Sequence, residues 1–216
     1  MIKTPQLRVD QEVIAGLVTE GARVLDLGCG DGLLLEHLIH QKNAHGAGVE
    51  ISHEGVHACI ARGLPVLQGD IDQGLSDHHD NAFDYVILSH TLQAVHRPRF
   101  VVQEMLRVGR KIIVSFPNFG HWKIRLGLTL GGRMPRTPVL PHAWYDTPNI
   151  HMCTILDFQD LCKSLEIQIL DQIPLAASGH RPKGPIKRQF ANYLVPLAVA
   201  NLFAPMAVFL LERGPD

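Results

Sequence analysis

Apolar runs and amphipathic stretches alternate along this chain between residues 23 and 212. Runs rich in valine, isoleucine and leucine fall at Arg23–Leu27, Gly46–Ile51, Pro65–Gln68, Phe83–Leu88, Lys111–Phe116, Ile167–Ile173 and Ala207–Glu212. Strands so uniformly apolar are buried on both faces, the condition of a parallel sheet with helices packed above and below it. Intervening segments supply such helices. Val13, Ile14, Leu17 and Val18 share one face of Asp10–Thr19, and Pro98–Leu106 opens with proline in its first turn. Thr154, with Asp157 three residues on, reads as a capped start ahead of Phe158, Leu161 and Cys162. The last strand follows a long connection without an ordinary crossover helix, so it is expected to insert antiparallel beside its predecessor. The pattern predicts a doubly wound α/β fold: a mostly parallel seven-stranded sheet with an antiparallel last strand.

Two stretches break the rhythm. Between about residues 117 and 153 the pattern lapses into glycine, proline and aromatic residues over a length unusual for a connector, which predicts a lid or partner-binding insertion in a single domain spanning 1–216. The stretch Tyr193–Leu211 is uncharged and close to the roughly 20 residues a membrane span requires. Pro196, Asn201 and Pro205 interrupt it, so a short helix, a break and a buried strand are expected instead, and no membrane association.

At 216 residues, 46% hydrophobic and 19% charged, the chain suffices for one well-buried core. Its four cysteines, Cys29, Cys59, Cys153 and Cys162, are scattered, and the opening MIKTPQLRVDQEV lacks the apolar stretch of a signal peptide; both point to reduced thiols and a cytoplasmic location. The thirteen histidines lack ligand spacing, so no metal site is expected. Charge is segregated: residues 1–104 hold 7 Lys/Arg against 14 Asp/Glu, residues 105–216 hold 13 against 7, and from Met105 to Tyr145 there is no acid. Such an imbalance reads either as solvated faces or as a basic surface for an anionic partner.

The first apolar run leads into RVLDLGCGDG, the strand, tight turn and helix start that bring a ligand to backbone amides. Gly28, Gly30 and Gly32 give G-x-G-x-G, and Leu33 stands where a dinucleotide fingerprint has its third glycine. Asp26 and Asp31 also oppose a pyrophosphate, since unit charges 5–6 Å apart interact by about 3 kcal/mol at an effective dielectric of 20. A sulfonium and an ammonium suit them, as in S-adenosylmethionine or, lacking the sulfonium, S-adenosylhomocysteine. Glu50, ending GAGVE, is placed to accept from two ribose hydroxyls, with Ile51 beside it. Asp70 in LQGDID can accept from the adenine amino group with Ile71 against the ring, while after the fourth strand LSHTLQAV puts Ser89 and His90 at the mouth and Leu92 under the adenine or methionine moiety. Asp26, Gly28, Cys29, Gly30, Gly32, Glu50, Ile51, Asp70, Ile71, Ser89, His90 and Leu92 are therefore the candidate cofactor-binding residues. The alternative makes Glu50 and Asp70 no more than caps at strand ends.

These features resemble the class I S-adenosylmethionine-dependent methyltransferases, with their Rossmann-like fold. No G-x-S-x-G elbow, phosphate loop or Y-x-x-x-K pair accompanies them, nor the Asn-Pro-Pro type segment of nucleic-acid amino methyltransferases, and no nucleic-acid partner is expected. The strings SFPNFGHWKIRLGLTLGGRMP, LPHAWYDTPNIHMCTILDFQDLC, GDIDQGL and FDYVILSHTLQAV closely resemble the methionine biosynthesis protein MetW family. That resemblance implies a subunit supporting a MetX-type homoserine O-acyltransferase; a methyltransferase acting on a small-molecule acceptor is the alternative. The candidate bases for methyl transfer are His90, His121, Tyr145 and His151, each with a structural alternative as a loop residue. Exposed aromatics among arginines make frequent interface anchors, so Trp122, Arg125, Arg133 and Arg136 are the candidate contacts with the acyltransferase.

Overall fold

The computed structural model describes residues 6–175 and 197–214. Seven strands, β1 (Arg23–Leu27), β2 (His45–Glu50), β3 (Val66–Gln68), β4 (Phe83–Ser89), β5 (Gly109–Pro117), β6 (Ile167–Leu175) and β7 (Met206–Arg213), form one sheet in the order β3-β2-β1-β4-β5-β7-β6. β1 to β5 pair in parallel, whereas β7 runs antiparallel between β5 and β6. The expected antiparallel last strand is therefore present, wedged between its predecessor and β5. Among the described residues seven helices accompany the sheet: α1 (Val9–Leu17), α2 (Leu33–Lys42), α3 (His53–Ala61), α4 (Pro98–Val108), α5 (Trp122–Gly131), α6 (Ile155–Ser164) and α7 (Leu197–Phe203).

Strand parity divides the core in two. Leu25, Leu27, Val86, Leu88, Ile112, Val114 and Phe116 point to the face covered by α4 and α6, where Phe116, Phe158 and Phe209 pack ring on ring. Val24, Tyr85, Ile87, Ile113 and Val208 point to the other face, where Val13, Ile14 and Leu38 from α1 and α2 meet them. Helix starts follow local chemistry: Ser52 caps α3 through Gly55 N–H, and Thr154 with Asp157 forms a reciprocal capping box on α6.

The root of the region between β5 and α6 is a buried polar knot. Asn118 donates to the carbonyls of Asn201 and Ala204, both at 2.7 Å, and its own oxygen accepts from the N–H groups of Gly120 and Ile155. This joins the end of β5, the start of α6 and the end of α7. Beyond the root the expected irregular insertion contains helix α5. No helix among the described residues is long and apolar enough to cross a membrane; Tyr193–Pro196 lie outside them, and the rest of that stretch forms α7, a break and most of β7.

Candidate functional site

The strand order reverses between β1 and β4, and the carboxyl tips on either side of that boundary open a crevice of the kind in which α/β sheets bind ligands. β1 delivers Asp26 and the glycine loop to it. Gly28, Gly30 and Gly32 all have left-handed backbones, with φ of 67°, 58° and 77°. A Cβ at Gly28 would lie 2.6 Å from Thr91 Oγ1, so both conformation and space require glycine there. Gly28 N–H donates to Val49 O at 2.8 Å, and Glu50 accepts from Gly30 N–H at 2.8 Å and, with its other oxygen, from Ser52 N–H at 2.9 Å. The acid at the end of β2 thus fastens the loop after β1, and each of its oxygens retains a lone pair for an outside donor.

Neighbouring residues take distinct positions. Ile51, directly after β2, is exposed, and Ile71, three residues after β3, is buried. One oxygen of Asp70 accepts from Asp72 N–H at 2.9 Å and caps the 3-10 turn at Ile71–Gln73, so Asp70 does act as a cap, with its second oxygen to spare. The Cys29 thiol turns from the crevice toward Cys59, 3.7 Å away beside Leu35 and Leu64, and burial pushes its pKa up, so it is a neutral packing group. Leu92 lies in the core cluster on the α4 face. Asp31 differs from its expected role: its carboxylate pairs with Arg62 at 3.2 Å on the surface, so opposition to a diphosphate rests on Asp26 and Glu50.

Asp26 is the unusual group. It is almost wholly buried and its Oδ1 has no hydrogen-bond partner among the described residues. Burial, reinforced by the Glu50 carboxylate and opposed by Arg8, pushes its pKa up to about 7. A buried carboxyl left so poorly compensated is costly for a fold and marks a place made for an outside donor or cation.

Strand parity puts Ser89 and Ser115 on the same face as Asp26, paired across β4 and β5, and the start of α1 covers them. Asp10, completely buried, accepts from Ser89 Oγ at 2.9 Å and Ser115 Oγ at 3.1 Å. Arg8, half exposed, donates to both Asp10 oxygens and to Ser89 Oγ at 2.8 Å. Burial pushes the Asp10 carboxyl upward, but the Arg8 bond, the nearby His90 and Arg8 charges and the Ser89 bond outweigh it and hold the pKa below the usual carboxylate value. Arg8, Asp10 and Ser115 escaped the sequence reading. A signal existed for Asp10, which falls on the apolar stripe of α1, three and four residues before Val13 and Ile14.

The four candidate bases occupy different settings. His90 belongs to the crevice: its backbone is left-handed at φ 59°, its Nε2 lies 3.5 Å from Asp10 Oδ2 and 3.3 Å from Met206 Sδ, and burial lowers its pKa against the pull of Asp10. The imidazole is therefore neutral near pH 7. His121 caps α5, its Nδ1 accepting from Lys123 N–H at 3.3 Å. His151 is exposed, its Nε2 3.4 Å from His96 O, and Tyr145 is exposed with its ring edge-on to Trp144. Among the described residues no cluster of three or more His, Cys, Asp or Glu is arranged to hold a metal.

The sheet order and antiparallel seventh strand define the Rossmann-like fold of the class I methyltransferases. The chain is similar over 95% of its length, and 90% of the other's, to a chain solved in a complex of the Haloferax volcanii Trm112 methyltransferase activator (TM-score 0.67, 15% identity). It is similar over 95% of its length and 85% of the other's to the plantazolicin methyltransferase BpumL, solved with a desmethyl substrate analogue and S-adenosylhomocysteine (TM-score 0.65, 15% identity). Within that class, residues 8–211 match the family described as methionine biosynthesis protein MetW, and the chain belongs to this family. A bifunctional methionine biosynthesis protein MetXA/MetW of Rhodopirellula baltica is 39% identical over an alignment of 176 residues that covers 77% of this chain and 28% of the relative. The chain thus spans little more than a quarter of that relative's length.

Proposed function

We propose that this chain binds S-adenosylmethionine or S-adenosylhomocysteine at the tips of β1, β2 and β3, and that in methionine biosynthesis it supports a MetX-type homoserine O-acyltransferase. The observation that carries the cofactor reading is the buried, partnerless oxygen of Asp26 beside a glycine loop fastened by Glu50. Glu50 would accept from the ribose hydroxyls, and the free oxygen of Asp70 from the adenine amino group, with the base between Ile51 and Ile71. Asp26 would receive the ammonium group and Arg8 the carboxylate of the methionine moiety, so that a zwitterionic head meets charges of opposite sign. S-adenosylhomocysteine bound to BpumL, a protein of the same fold, supports this reading.

The partner reading rests on the Rhodopirellula baltica relative, in which a region like this chain shares one polypeptide with a MetXA region. The segment 117–153 would carry the contact, through Trp122, Arg125, Arg133 and Arg136, within a single domain spanning 1–216. Coupling requires that the cofactor bind the free and partnered chain unequally.

A second reading, methyl transfer to a small-molecule acceptor, is favoured by His90, a neutral imidazole backed by Asp10 at 3.5 Å. One experiment separates the two: acylation of homoserine by the purified acyltransferase is followed with and without this chain, and with each cofactor form, while methyl transfer from labelled S-adenosylmethionine is assayed in parallel. Acylation that responds to chain and cofactor is expected; acylation indifferent to both, with methyl groups appearing on a metabolite, establishes the second reading instead. Calorimetry that detects no binding of either cofactor form refutes the site itself.

A further inference from the structure

Asp10 is costly where it stands. It is completely buried on the stripe where α1 otherwise presents Val13 and Ile14 to the sheet, and an apolar side chain would anchor the helix there without desolvating a charge. Its bonds show what it does instead. Asp10 Oδ1 accepts from Arg8 Nε at 3.1 Å and Oδ2 from Arg8 Nη2 at 3.2 Å, while Nη2 also donates to Ser89 Oγ at 2.8 Å. Ser89 and Ser115 hold the carboxylate from the sheet side. The register that sets Leu27 opposite Leu88 brings Ser89 level with Gly28, where the glycine loop begins. Three of the five guanidinium N–H groups thus fix Arg8 at the crevice, its side chain half exposed and the two N–H groups of Nη1 unused by these bonds.

Asp26 offers Arg8 a second carboxyl. The Arg8 charge lies close enough to oppose the burial that raises the Asp26 pKa, yet no bond joins the two: Arg8 spends its donors on Asp10 and Ser89, and Asp26 Oδ1 has no partner among the described residues. An arginine free to rotate would close onto that buried carboxyl and leave neither group for a ligand. Resting on the cofactor reading above, we infer that Asp10 is a positioning residue that holds Arg8 off Asp26, so that the amino-acid head of the ligand, and not Arg8, completes the site. The ammonium then meets Asp26, and the carboxylate meets the N–H groups of Arg8 Nη1. The class of ligand follows. Adenosyl compounds with an intact amino-acid head are bound, and those without it, which leave Asp26 and Arg8 both unpaired, are rejected.

The test is calorimetry with two ligands: S-adenosylhomocysteine, and methylthioadenosine, which keeps the adenosine and the thioether but lacks the amino-acid head. Wild type is compared with Asp10→Asn, with Arg8→Lys, which keeps the charge but gives up the two-point hold on Asp10, and with the double variant. Wild type is expected to bind S-adenosylhomocysteine at least tenfold more tightly than methylthioadenosine. Each single variant is expected to lose tenfold or more in affinity for the first ligand and less than twofold for the second. The double variant is expected to stay within threefold of the weaker single one, because Asp10 acts through Arg8. Equal losses for both ligands make Asp10 a fold anchor, and losses that multiply in the double variant make it independent of Arg8; either overturns the inference. Wild type that binds both ligands equally overturns it as well and leaves the cofactor reading standing, whereas wild type that binds neither refutes both. Should Asp10→Asn fail to fold, Arg8→Lys decides: a loss confined to S-adenosylhomocysteine upholds the two-point hold, and unchanged selectivity overturns it.

Discussion

The loop after β1 and the helix α5 both depend on glycine, and the contrast between them separates what the chain completes by itself from what it leaves open. In the loop each requirement is internal: Gly28 adopts φ 67° and abuts Thr91, Glu50 holds Gly30 N–H, and Ser89, Ser115 and Arg8 surround Asp10. In α5 the glycines have ordinary backbones and open space, and the leucines face outward. Contacts among the described residues account for the first region and not for the second. Asp26 is the exception inside the first region: it is buried, and its Oδ1 has no hydrogen-bond partner among the described residues.

Substitutions sharpen that contrast in order of size. Asp10→Ala strands the buried Ser115 hydroxyl, the half-buried Ser89 hydroxyl and the half-exposed Arg8 guanidinium, and should cost about 2–4 kcal/mol in chemical denaturation, as leaving such groups without their shared acceptor does. Asp26→Asn should act in the opposite direction. Because the folded-state pKa of Asp26 is raised from 3.8 to about 7, its stabilising effect is complete below pH 4 and lost as pH rises through about 7. The ligand-free variant, whose residue 26 does not ionise, should lack this slope and at pH 8 exceed wild type by at most about 4 kcal/mol. Its affinity for S-adenosylmethionine should fall about tenfold or more, and the tightening of wild-type binding between pH 6 and 8 should disappear in calorimetry. Gly28→Ala combines left-handed strain with overpacking against Thr91, for a loss of about 2–4 kcal/mol. Gly127→Ala should raise stability, by up to about 1 kcal/mol, since only helix propensity changes. Equal losses from the two alanine substitutions would erase the distinction between the regions.

Much of the architecture was legible because burial on both faces of a parallel sheet leaves uninterrupted apolar runs. β1 occupies the expected residues, and the break at Pro205 separates α7 from β7 as expected. The capping box at Thr154 and Asp157 was equally readable, being a contact between residues three apart. Helix α5 was not, since two glycines and outward leucines match no core-facing pattern. For the candidate site, the acid-flanked glycine loop was visible as a string, whereas the state of each acid was not. Asp26 and Asp31 look alike in LDLGCGDG, yet one is buried without a partner and the other pairs with Arg62 on the surface.

By itself the amino-acid sequence determined the seven strands, the helices α1, α4 and α6 and the loop that ends β1, because each depends on periodicity or on residues a few positions apart. Only the tertiary structure decided that Arg8 and Asp10 join Ser89 and Ser115 at the crevice, that Glu50 ties down Gly30, and that α5 keeps its leucines outside. These depend on pairings across 20 to 105 residues and on whether a side chain has been removed from water, which no local pattern encodes.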